Sequence, residues 1–135
     1  MQPRPLILVV DDDPDISDSL KIILENNDYS VQTASDGREA RNFLTKQKPD
    51  LMILDVMMVS ETEGFDLAYD LKQHPEFKRI PIIILTSFLE KVREEGPDKF
   101  AYILGEQWPA CWMFEKPPDT KKLLVKIEDI LRETK

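Results

Sequence analysis

Four apolar runs in the sequence stop abruptly at residues that could do chemistry. Asp11 and Asp12 follow Leu6 to Val10, Asp55 follows Leu51 to Leu54, Thr86 and Ser87 follow Ile80 to Leu85, and Lys116 follows the run Ala110 to Phe114. Short continuous runs of apolar, β-prone residues read as strands buried on both faces, so each polar residue falls at a strand's carboxyl end. A lone Asp there is ordinarily a turn former or a helix cap. Four strands contributing to one rim call for more. Three carboxylates held together repel, and one takes up a proton unless a cation shares the site. Oxygen-only ligands on an open rim suit Mg²⁺ better than Zn²⁺, and the one histidine, His74, and the one cysteine, Cys111, form no metal-binding cluster. A Thr86 hydroxyl and a Lys116 ammonium across from that cation would surround an oxyanion, as a transferred phosphoryl group requires.

The elements that must position these residues alternate along the chain. After the first strand, Asp13 caps a helix with Pro14 at its first position, and Ile16, Leu20, Ile23 and Leu24 share one face. Tyr29, Val31 and Thr33 alternate in a second strand, and Ser35-Asp36-Gly37 opens a second helix with Ala40, Phe43 and Leu44 turned inward. Phe65, Leu67, Ala68 and Leu71 support a third helix closed near His74-Pro75. A helix is expected around Asp98 to Leu104, and Leu123, Leu124, Ile127, Ile130 and Leu131 make a final amphipathic one. Five strands alternating with five helices predict a doubly wound α/β domain, whose ligands bind at the carboxyl ends of the strands.

The chain's 135 residues suit one domain, 1–135, with no output module attached. Hydrophobic residues at 41% provide for a core, and the formal net charge of −8 argues against direct binding to nucleic acid or anionic lipid. The N-terminal residues lack the apolar stretch of a secretory leader, and no apolar run approaches the roughly 20 residues of a membrane helix, so a cytoplasmic location is expected.

The residues Val9-Val10-Asp11-Asp12, Leu54-Asp55-Val56-Met57-Met58, Thr86-Ser87 and Lys116-Pro117 resemble the receiver domain of two-component response regulators, from Ile7 to the final helix. The resemblance implies a flavodoxin-like sheet of order 2-1-3-4-5. It also implies that Asp55 takes a phosphoryl group from a phosphohistidine, forming an acyl phosphate. Asp12 and Asp55 would ligate Mg²⁺ by side chain and Met57 by its carbonyl, with Asp11 holding a metal-bound water. Lys116, Thr86, Ser87 and the Val56 amide would contact the phosphoryl oxygens, and Lys116-Pro117 would be cis. The implied partners are a histidine kinase or histidine phosphotransfer protein and an unnamed downstream protein, with a second copy in a homodimer left open. Such a chain signals by binding rather than by turning over a substrate.

The sequence departs from the family pattern in three places. The segment Val56 to Glu63 lacks the usual Pro, reaches Gly64 late and carries Glu61 and Glu63. Met113 stands where many receivers place an aromatic switch residue, between Trp112 and Phe114. The stretch between Thr86 and Lys116 is long and contains Trp108, which fits either a surface cover or a modified output face. These departures motivate the alternative of a receiver-shaped interaction module that works without phosphorylation. A haloacid-dehalogenase-type phosphatase is disfavoured, because Met57 occupies the position of its second Asp. His74 is expected at a helix end, Cys111 in a strand, and Lys121, Lys122 and Lys126 on a solvated helix face.

Overall fold

The computed structural model describes residues 4–55, 70–71, 73–77, 79–86, 111–115 and 119–133, with backbone only for 86 and 111–115. Five strands, β1 (Leu6–Val10), β2 (Ser30–Ala34), β3 (Leu51–Asp55), β4 (Ile82–Thr86) and β5 (Cys111–Glu115), form one sheet of order β2-β1-β3-β4-β5. Every neighbouring pair is parallel. Three helices run in full among the described residues: α1 (Pro14–Glu25), α2 (Gly37–Leu44) and α3 (Thr120–Glu133). Residues 70, 71 and 73 are helical, consistent with the expected close near His74. The remainder of that helix, the helix expected around 98–104 and the segments bearing Glu61, Glu63 and Trp108 lie outside the described residues.

Strand alternation divides the core into two layers. Leu8, Val10, Met52, Leu54, Ile82 and Ile84 face one side, where Ala40 and Leu44 of α2 cover them. Ile7, Val9, Leu51, Ile53, Ile83 and Leu85 face the other, under Leu20 and Leu24 of α1 and Leu123, Ile127, Ile130 and Leu131 of α3. Each such side chain taken from water contributes roughly 1.5–3 kcal/mol. Because both faces are covered, the strands read as unbroken apolar runs rather than as alternating ones.

The placement of α1 and α2 on opposite faces follows from the fixed right hand of parallel crossovers. The chain steps from β1 outward to β2, then back past β1 to β3. Reversing direction along the sheet moves the crossover helix to the other face. The reversal leaves a crevice beyond the carboxyl ends of β1 and β3, where neither crossover covers the sheet edge.

The local signals for α1 and α2 are met. Asp13 is the N-cap of α1, its side chain accepting the Asp15 N–H at 2.9 Å, with Pro14 in the first helical position. Asp36 caps α2 by accepting the Glu39 N–H at 2.8 Å, while the Glu39 carboxylate accepts from the Ser35 N–H at 2.9 Å and from its hydroxyl. This reciprocal arrangement satisfies donors that a helix start leaves open. On α3, Lys121 and Lys122 are exposed as expected, whereas Lys126 is half-buried.

Two strand starts differ from the sequence reading. Tyr29 precedes β2 instead of opening it, because its N–H donates to the Leu24 carbonyl at 3.1 Å and so closes the end of α1. Asp28 stands in the left-handed region at φ 70°, a conformation Asp tolerates better than most residues, and this turns the chain toward β2. Ile80 is buried but belongs to the turn before β4, its N–H donating to the Phe77 carbonyl at 3.0 Å.

Candidate phosphoryl and metal site

Register brings the acidic residues together. Val10 pairs with Leu54 across β1 and β3, so the next step along both chains sets Asp11 beside Asp55. The Asp11 N–H donates to the Ala34 carbonyl at 3.0 Å, which carries the β1–β2 ladder one residue past the strand. The Asp11 carboxylate accepts the Asp13 N–H at 2.9 Å, so the turn into α1 braces it. Ser17, buried in the first turn of α1, donates its hydroxyl to the Asp13 and Pro14 carbonyls, each at 3.3 Å.

Asp11 and Asp55 are each only 2% exposed, and Asp12 is exposed. One carboxylate oxygen from each of the three lies within 4.8 Å of the others. For the buried pair alone, two full charges no more than 4.8 Å apart would repel by at least about 3.5 kcal/mol at an effective dielectric of ~20. Among the described residues, two buried carboxylates and a third on the solvent side offer an all-oxygen donor set that suits a hard cation retaining several waters. That donor set fits Mg²⁺ and lacks the nitrogen and sulfur ligands usual for zinc.

Thr86 is the last residue of β4. Asp55 is level with Leu85, so Thr86 lies one residue beyond it on the neighbouring strand, and its backbone pairs with Glu115 at the end of β5. The structure therefore brings Asp11, Asp12 and Asp55 together and places Thr86 on the same rim. The assignments to Val56, Met57, Ser87 and Lys116 fall outside the described residues. Two supports were missed in the sequence: the Ala34 carbonyl, which only register reveals, and Ser17, whose position four residues after the Asp13 cap was a signal available to read.

The sequence matches the response regulator receiver domain over residues 7–98. It is 33% identical over 130 residues to the DNA-binding dual master transcriptional regulator RpaA of Synechocystis, covering 96% of this chain and 50% of that protein. It is 36% identical over 126 residues to the alkaline phosphatase synthesis transcriptional regulatory protein PhoP of Bacillus subtilis, covering 93% and 48% respectively. The chain thus spans about half the length of the curated relatives it matches. Among solved structures, the signal receiver domain of a signal transduction histidine kinase from Syntrophus aciditrophicus aligns with a TM-score of 0.80 at 31% identity, over 97% of this chain and 92% of that one. The chemotaxis response regulator CheY4 of Vibrio cholerae aligns with a TM-score of 0.76 at 27% identity, over 94% and 98%. The chain belongs to the response regulator receiver domain family of two-component systems.

Proposed function

We propose that this receiver is a working phosphoacceptor and that Asp55 is the residue modified. A carboxylate oxygen of Asp55 attacks the phosphorus of a phosphohistidine on a partner histidine kinase or histidine phosphotransfer protein. The P–N bond breaks, the imidazole leaves, and an acyl phosphate remains on Asp55. Hydrolysis returns the carboxylate and inorganic phosphate. Asp55 is buried at the end of a central strand, so its oxygen is held in place and few waters can compete at the same point.

Asp12 and Asp55, with the Met57 carbonyl, would hold Mg²⁺, and Asp11 would orient a water on it. When bound, the ion neutralises the crowded carboxylates and the charge on the phosphoryl oxygens. Thr86 and Ser87, the Val56 amide and Lys116 would then bind those oxygens. The modified surface signals by binding another protein, within the cytoplasm and without turnover of a substrate. No described helix is long and apolar enough to cross a membrane.

The observation that carries this reading is the convergence of Asp11, Asp12 and Asp55 within 4.8 Å at the edge where the strand order reverses. It also weighs against the phosphate-independent module, which has no use for three repelling carboxylates. Wild-type protein incubated with Mg²⁺ and acetyl phosphate should gain one phosphoryl adduct by intact mass, and Asp55→Ala should gain none. A wild type that stays unmodified would hand the reading to the phosphate-independent module.

A further inference from the structure

The carboxyl rim is not the only surface with a defined character. At the opposite, amino-terminal edge of the sheet, the connection from α2 into β3 runs beside the turn that enters β4, because β3 and β4 are neighbours. Two concavities of about 390 and 530 Å³ lie there and share Leu44, Thr45, Glu76 and Phe77, so they form one continuous groove. Its floor is apolar: Leu44 and Leu71 belong to the core, Phe77 packs partly buried against it, and the His74 ring stacks on Phe77 at 4.5 Å between centroids.

The rim of the groove differs in charge from the rest of the molecule. Lys46, Lys48 and Arg79 line it and are exposed, against Glu76 as the one acidic residue lining the same half among the described residues. No side-chain hydrogen bond or ion pair engages these three cations among the described residues, whereas Arg41 at the far end is bound by Asp70 at 2.7 Å. A local excess of positive charge on a chain of net charge −8 stands out and focuses the field toward an anionic partner. An apolar floor beneath a basic rim is complementary to a peptide carrying an apolar anchor between acidic residues.

We propose that this groove docks an acidic peptide segment of a partner protein, its aliphatic or aromatic anchor over Leu44 and Phe77 and its carboxylates against Lys46, Lys48 and Arg79. The groove lies a strand length, about 17 Å, from Asp55. Docking there is therefore independent of the phosphoryl site and would hold a partner before and after phosphorylation.

The test is fluorescence anisotropy with a labelled peptide of Glu and Asp flanking a central Leu-Phe pair. Saturable binding that weakens with salt, is retained by Asp55→Ala, and falls by about tenfold or more in the triple variant Lys46→Glu, Lys48→Glu, Arg79→Glu is the expected result. The three side chains are exposed, so an unchanged melting curve shows that the variant folds. Amide shifts of the wild type on peptide addition should concentrate in residues 41–48 and 70–79, a readout that needs no variant. Equal affinity for a peptide with Ala-Ala in place of Leu-Phe, or for inorganic polyphosphate, would overturn the proposal in favour of a plain anion surface. Shifts centred on the carboxyl rim, or no binding, would overturn it outright.

Discussion

Asp12 and Asp13 are adjacent and both acidic, yet the backbone assigns them to different ends. Asp13 is turned to the helix, where its side chain stops the Asp15 N–H of α1 from going unmet. Asp12 is turned to solvent with an oxygen toward Asp11 and Asp55. Removing each should therefore give opposite signatures. Asp13→Ala should lower stability by about 1 kcal/mol, the usual value of a lost N-cap, with Mg²⁺ affinity little changed. Asp12→Ala should leave the denaturation midpoint in chelator unchanged or raised, because it relieves carboxylate repulsion, and should weaken Mg²⁺ binding by about tenfold or more, since it removes a charged oxygen ligand. Denaturant melts and Mg²⁺ titrations of the two variants check this; matching behaviour in both assays would contradict the division of roles.

Secondary-structure elements decide which of these residues meet, and one contact between elements is sensitive to pH. Tyr29, at the entry to β2, packs against the α1 and α3 face, and burial raises its phenol above the ordinary value of 10.0, with Glu128 of α3 adding to the effect. The folded state thus holds the phenol proton more tightly than the unfolded chain. Its contribution to stability is whole below pH 10.0 and is lost as pH rises beyond it. Tyr29→Phe, having no proton to lose, should show a flatter fall in stability on the alkaline side than wild type; parallel curves would contradict the assignment. The same residue shows where the sequence misleads. Alternation of Tyr29, Val31 and Thr33 suggests a strand start, but the Tyr29 N–H instead donates to the Leu24 carbonyl, a local closure of α1 that hydropathy does not record. Ile80 teaches the same lesson, since burial without pairing looks identical in the sequence to a strand residue. By contrast β1 was legible to the residue, because Asp11 ends an unbroken apolar run, and β3 ran one residue past it to include Asp55.

On the scale of the whole molecule, the fold class followed from the repeated alternation of buried strands and amphipathic helices. The strand order did not, because parallel strands joined by crossovers can be laid down in several orders with the same local pattern. It came from family resemblance and agrees with the observed sheet. The acidic site was legible in part for the same reason as the fold: parallel strands that stop at carboxylates share one rim, and the order that sets β1 beside β3 then brings them together. The basic groove was not, since Lys46, Lys48 and Arg79 become neighbours only when β3 and β4 lie side by side. A site assembled from the ends of two neighbouring strands, β1 and β3, also ties the cation to global stability. At Mg²⁺ concentrations ~100 times its dissociation constant, binding should add about 2.7 kcal/mol. The thermal midpoint of wild type should therefore rise with Mg²⁺ at fixed ionic strength, and that of Asp12→Ala should rise less. A midpoint indifferent to Mg²⁺ would separate the carboxylate cluster from any cation.

The central claim is that this cluster exists to let Asp55 accept a phosphoryl group. Its most direct measurement is peptide-level mass mapping of wild-type protein treated with acetyl phosphate, once with Mg²⁺ and once with chelator in excess. The predicted result is a phosphoryl group on the peptide containing Asp55, present with Mg²⁺ and lost with chelator. Modification mapped to another residue, or equal modification of Asp55 in both conditions, would contradict the account.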